Sequence, residues 1–271
     1  MLKLSFDKGA WAIGIAALAM IGALAVSWVA PSHAEGVGQR EVWVGADAGA
    51  HNWLVYSGGT YAPWGDIHAD GFRLRATAGY GHYDYQWDAK QWDAKTHVEV
   101  DKTTADVLVG YQHRFGELSA KAFIGWAILT DLDVPSANVR IPKFQNGVKG
   151  ALELWLNLGA NAWTSLDLNY ADTRETWSVR SRVGYRVLPT VSLGVEGVIN
   201  HANLAGQVQI NSKTPQPLGN IRVGAFARYE WFGGDISASG GLTGDTGEDL
   251  GSTDLLRKPS AYGTVNWITQ F

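Results

Sequence analysis

The chain has no cysteine. That excludes a disulfide scaffold, a thiol nucleophile and a thiolate metal site. It also lacks a basic excess: 22 Lys+Arg stand against 26 Asp+Glu, a formal net charge of −4. Nothing therefore points to nucleic acid. Beyond residue 34 no apolar run is long enough for a membrane helix. There is no His-Glu-x-x-His, no His-x-Ser pair, and no nucleotide-binding motif after a strand. No catalytic residue, metal site or cofactor is expected. What the chain does have is 33 Gly and 13 Trp. Glycine suits strands crowded around a lumen, and tryptophan suits a membrane interface.

The first segment has the pattern of an export signal. Lys3 and Lys8 supply a positive start, Ala10 to Ala30 is apolar or small, Pro31 breaks it, and Ser32-His33-Ala34 offers a cleavage site. A signal peptide is expected over 1–34 and one exported domain over 35–271. The alternative is an uncleaved anchor, because the apolar stretch is just long enough to span.

Alternation with period 2 recurs through the rest, and a helical period never persists. Leu118, Ala120, Ala122, Ile124, Trp126 and Ile128 share one parity, with Ser119, Lys121 and Gly125 between them. Leu152, Leu154, Leu156 and Leu158 repeat the pattern around Glu153 and Asn157. So do Trp177, Val179, Val183, Tyr185 and Val187, and later Ile221, Val223, Ala225, Ala227, Tyr229 and Trp231. The last such segment carries Val265, Trp267, Thr269 and Phe271 on one face and Thr264, Asn266 and Gln270 on the other. A half-apolar strand with a terminal Phe resembles the assembly signal of bacterial outer-membrane barrels. Apolar residues outside and polar ones inside are what a closed sheet in lipid requires.

Twelve strands are predicted, near 41–49, 52–62, 71–84, 104–115, 118–130, 147–158, 163–171, 175–187, 190–200, 220–232, 234–242 and 260–271. The connections sort by parity. Those at 63–70, 116–117, 159–162, 188–189 and 233 are short. Of the others, 85–103, 131–146, 201–219 and 243–259 are long and polar, whereas 50–51 and 172–174 are not. Short periplasmic turns alternating with long outer loops fit an all-β, antiparallel transmembrane barrel with both termini periplasmic. A soluble sandwich also alternates but has no reason to sort its loops. Tyr111, Phe115, Tyr229, Trp231, Trp267 and Phe271 form an outward belt near the short turns. Tyr80, Trp126, Tyr170 and Trp177 form one near the opposite ends.

The opposite parity gathers charge. Arg73, Arg75, Arg180, Arg182, Arg186, Arg222 and Arg228 are candidate lumen cations, and Glu153, Glu196 and Glu230 candidate lumen anions. They read either as a basic path for an acidic saccharide or as cross-strand ion pairs filling a narrow lumen. The presence of both signs on one parity favours the second. Trp87-Asp88-Ala89-Lys90 recurs as Trp92-Asp93-Ala94-Lys95. Trp87 and Trp92 are candidates for stacking on sugar rings. A local duplication in a tolerant loop is the plainer reading.

Several segments carry a family likeness. They are 41–85, ADVLVGYQHRF (105–115), WSVRSRVGYRV (177–187), VGAFARYEWFGGDISASGG (223–241) and AYGTVNWITQF (261–271). The most specific pieces are the D-G-F-R-L-R-A-x-x-G-Y-G-x-Y-x-Y run at 70–85 and G-G-D-I-S at 233–237. Together they resemble the BcsS family of cellulose biosynthesis proteins. The resemblance implies a non-enzymatic accessory role in cellulose biosynthesis or export, near cellulose synthase. It carries over no defined site. The expected partners are outer-membrane lipid, the barrel-assembly machinery, a glucan and the cellulose synthase complex. Two other readings stay open: a small diffusion channel for acidic oligosaccharides, and a lipid-modifying barrel enzyme using a rim histidine such as His97 or His201.

Overall fold

A computed structural model describes residues 38–50, 52–89, 94–135, 141–203, 217–245 and 257–271. The segment 1–37, with the expected signal peptide, lies outside them. Twelve strands run in chain order: β1 (Arg40–Gly49), β2 (Asn52–Tyr61), β3 (Gly71–Ala89), β4 (Ala94–Phe115), β5 (Leu118–Pro135), β6 (Ile141–Leu158), β7 (Ala162–Ala171), β8 (Thr176–Leu188), β9 (Val191–Asn203), β10 (Pro217–Trp231), β11 (Gly234–Asp245) and β12 (Arg257–Gln270). Each pairs antiparallel with its neighbours in sequence, and β12 returns to β1 to close the barrel. Closure leaves no edge strand around the ring, so the backbone groups of the membrane-spanning stretch find partners without water.

The twelve predicted strands are present, but several reach further than alternation indicated. β3 runs to Ala89 and β4 begins at Ala94, so most of the stretch expected as a loop at 85–103 is hairpin. β5 and β6 likewise approach to 135 and 141, and β9, β10, β11 and β12 all extend beyond their predicted ends. Outside lipid a strand needs no apolar outer face. Backbone pairing alone continues it, and the hydropathy pattern is silent there.

The outer surface is apolar where lipid would lie. Val107, Val109, Ile124, Ile128, Val148, Val183, Val195, Val223, Leu242 and Val265 are exposed side chains on it. From Leu118 to Ile128, at about 3.3 Å per residue and a tilt of about 40°, β5 rises about 25 Å. That matches a hydrocarbon core. Trp64, Phe72, Tyr111, Tyr229 and Trp231 ring the short-turn end; Trp126, Phe144 and Tyr170 stand near the other. Trp64, Phe72 and Tyr111 contact edge-to-face at 5.7 and 5.2 Å between centroids.

The short turns are tight because glycine adopts positive φ in them, as at Gly116 (φ 61°) and Gly233 (φ 82°). Inside, small residues sit beside large ones. A side chain at Gly184 would overlap the Trp163 ring, and one at Gly110 the Phe123 ring. The inward-facing large residues therefore have no other seat.

Candidate functional site

The lumen is the site, and its side chains form layers. At the short-turn end the 62–70 connection folds inward. Ile67 donates its N–H to Gly38 O at 2.7 Å, and Gln112 Nε2 donates to His68 O at 3.2 Å. Arg73 fixes this connection. It is 1% exposed and donates to the backbone carbonyls of Asp66 and Ile67, each at 3.1 Å, and to that of Ala69. Arg73 is thus inward, but it clamps a turn and does not line the open cavity.

Next comes an aromatic layer. Trp155 and Trp163 stack at 4.2 Å, and Phe226 lies 5.4 Å from Trp163. Trp163 is fully buried and donates Nε1–H to Ser192 Oγ at 3.2 Å. Arg228 lies over both indoles, at 4.9 and 5.6 Å, and pairs with Asp235 at 2.8 Å. Arg75 lies 3.8 Å from the Phe123 ring centre and 5.3 Å from that of Trp43. A guanidinium on an aromatic face keeps its edge free for carboxylates.

Chords then cross the middle of the barrel. Arg75 on β3 pairs with Glu153 on β6, and Arg222 on β10 with Asp47 on β1. Each joins strands three apart, a quarter of the ring, so the side chains cut inside the wall instead of pairing between adjacent strands. Glu196 accepts from Arg180 at 2.7 Å, Arg182 at 3.0 Å and the Tyr262 hydroxyl at 2.9 Å. The Tyr56 hydroxyl donates to Asn266 Oδ1, and Thr264 Oγ1 donates to Asp47 at 2.9 Å. A buried charge demands such partners, because leaving one unpaired costs several kcal/mol.

At the end bearing the longer connections, Lys149 pairs with Asp106 at 2.6 Å. The Thr173–Glu175 turn between β7 and β8 sends Arg174 inward to Asp131 and to the Tyr83 hydroxyl, the latter at 2.9 Å. Between the layers lies a cavity of about 1120 Å³, lined among others by Arg75, Arg180, Arg182, Arg222, Arg228, Glu153 and Glu196. Arg186 and Glu230 meet at 3.9 Å on the short-turn rim, outside it. Trp92 and the side chain of Trp87 lie outside the described residues. So do His51 and the side chain of His97.

The other histidines are not in the lumen's middle. His82 Nδ1 meets Asp101 at 2.9 Å and stacks on Trp53, and His201 stacks on Trp177, near the end with the longer connections. His113 meets Asp70 at 2.6 Å near the short turns. Among the described residues, no three His, Asp or Glu side chains converge as a metal would need.

Parity placed Asn266 on the polar face but missed Asp47, Tyr56 and Tyr262, although all three keep the inward phase of their strands. It missed Arg174 and Asp131 for a different reason. Arg174 enters from a turn, where no alternation exists, and Asp131 falls in a stretch expected as loop.

A closed antiparallel barrel with an apolar belt and a charged, water-accessible lumen defines an outer-membrane β-barrel protein. Within that class the chain belongs to the cellulose biosynthesis protein BcsS family, whose model matches residues 42–271. Among solved structures it is similar to the KdgM porin, at 11% identity over 85% of this chain and 99% of that one, with a TM-score of 0.44. It is similar to the translocator domain of the autotransporter NalP from Neisseria meningitidis, at 13% identity over 95% and 97%, TM-score 0.47. It is also similar to outer membrane phospholipase A from Escherichia coli, at 9% identity over 86% and 92%, TM-score 0.37. These likenesses carry no functional argument. No curated protein matches the chain.

Proposed function

We propose that this protein is a non-enzymatic outer-membrane component of cellulose biosynthesis and export, acting as a dock for a glucan at the cell surface. Both barrel termini face the periplasm in this reading, the 1–34 segment is a cleaved export signal, and the barrel-assembly machinery inserts the chain. The longer connections then face outward and the cellulose synthase complex is reached from the periplasmic side. Family membership supports the link to cellulose.

The observation that favours a dock over a passage is the pair of chords Arg75–Glu153 and Arg222–Asp47. Both chords and the Trp155–Trp163–Phe226 layer narrow the path a polymer would take through the lumen. The same chords speak against a diffusion channel for acidic oligosaccharides at mid-barrel, because Arg75 and Arg222 are already paired there.

Proteoliposome swelling tests this. The native barrel is expected to admit neither neutral nor acidic tetrasaccharides. A variant with Arg75→Ala, Arg222→Ala and Trp163→Ala together is expected to admit both. Rapid swelling with the native protein would refute the dock and restore the channel.

A further inference from the structure

The half of the lumen near the longer connections holds a cation with no hydrogen bond or ion pair of its own among the described residues. Lys102 lies on β4 in phase with Thr104 and Asp106, and it lines the cavity. It makes no hydrogen bond or ion pair among the described residues. The charges that reach it are those of Arg174 and Lys149, both cations. The carboxylates at this level each hold another cation through one oxygen, and the second oxygen of each has no hydrogen-bond partner. Asp106 holds Lys149 at 2.6 Å, and Asp131, which stands opposite Lys102 in the strand register, holds Arg174. Lys102, Lys149 and Arg174 thus meet these two carboxylates, with Lys143 opposite Asp131 on β6.

Arg174 is also held in an unfavourable backbone conformation. Its φ and ψ are 56° and 25°, and Glu175 follows with φ 46°. Non-glycine residues avoid this left-handed region, and such conformations persist where surroundings enforce them, often at ligand sites. Elsewhere at this end the cavity wall carries neutral hydrogen-bonding groups. Asn200 donates to Asn220 at 2.9 Å, and Asn169 and Ser178 also line it. Amides and hydroxyls of this kind suit sugar hydroxyls, and a cluster of cations suits an oxyanion.

We propose that Lys102, Lys149 and Arg174 form a subsite for the carboxylate of an acidic saccharide, a uronate, entering from the end with the longer connections. The saccharide part rests on the docking role proposed above. The oxyanion part does not.

Calorimetric titration of the folded barrel in detergent tests it, with three probes: cellotetraose, a cello-oligosaccharide oxidised to a terminal uronate, and inorganic phosphate. The uronate is expected to bind at least about tenfold tighter than cellotetraose, the difference one charge-assisted contact makes. Lys102→Gln should remove most of that difference, whereas Arg186→Gln on the rim should leave it. Lys102 has no partner to strand, so Lys102→Gln should fold, and a heat-modifiable gel shift checks this. On the native protein, raising salt from about 50 mM to about 300 mM should weaken the uronate several-fold and cellotetraose little. Equal affinity for neutral and acidic sugars, no binding at all, or full uronate binding by Lys102→Gln would overturn the proposal. Phosphate binding as tightly as the uronate would keep the oxyanion subsite and overturn its assignment to a saccharide, leaving the docking role itself untouched.

Discussion

Trp163 has the most confined side chain in the lumen: fully buried, stacked on Trp155, packed on Phe226 and bonded to Ser192. Trp163→Ala should destabilise the barrel by about 3–5 kcal/mol, the usual loss for a buried aromatic, read from urea unfolding in vesicles. Arg75 and Glu153 form the second residue-scale test. Glu153→Gln leaves Arg75 on its aromatic faces without a carboxylate, and should cost about 1–3 kcal/mol. Adding Arg75→Gln should recover part of that, giving a coupling of about 1 kcal/mol or more in a double-mutant cycle. Additive losses would mean that the chord contributes nothing. Residues of this kind were half legible. Alternation put Arg75, Glu153, Arg180 and Glu196 on the inner face, but nothing in one strand's pattern says which other strand its side chains reach. That Arg75 meets β6 and Arg222 meets β1 follows from closure and register.

Within β6, facing is testable directly. Leu154 lies on the outer parity and pairs in register with Ala120 and Leu166, while Glu153 pairs with Lys121 and Asp167 inside. Leu154→Arg puts a charge in hydrocarbon and should cost about 2–4 kcal/mol near mid-bilayer. A loss no larger than that of Glu153→Gln would contradict the facing. The seam between β1 and β12 gives another element-scale prediction. Arg40 N–H donates to Phe271 O at 2.8 Å, and Phe271 N–H donates to Arg40 O at 2.9 Å. Deleting Phe271 removes the last rung of closure and should lower the yield of heat-modifiable barrel in outer-membrane fractions while export continues. Unchanged yield would show that the seam closes without it. Strand number and order of facing were legible because lipid imposes them. Strand length was not, since residues 94–103 of β4 lie where hydropathy has no side to prefer. That is also why Lys102 escaped notice, although Lys102, Thr104 and Asp106 keep one inward phase.

At the scale of the whole molecule, closure and the apolar belt account for the outer-membrane setting, and ion pairs account for a filled lumen. Neither could be read as a role. The family likeness spans 42–271, whereas the lumen's chemistry arises from side chains on most of the strands and becomes visible only once the ring is closed. Removing the gene from a cellulose-producing host and measuring cellulose yield and surface deposition tests the proposed role most directly. Loss or misplacement of cellulose, restored by the native gene, with oligosaccharide uptake unchanged, is the predicted result. Normal cellulose together with impaired uptake of acidic oligosaccharides would contradict it.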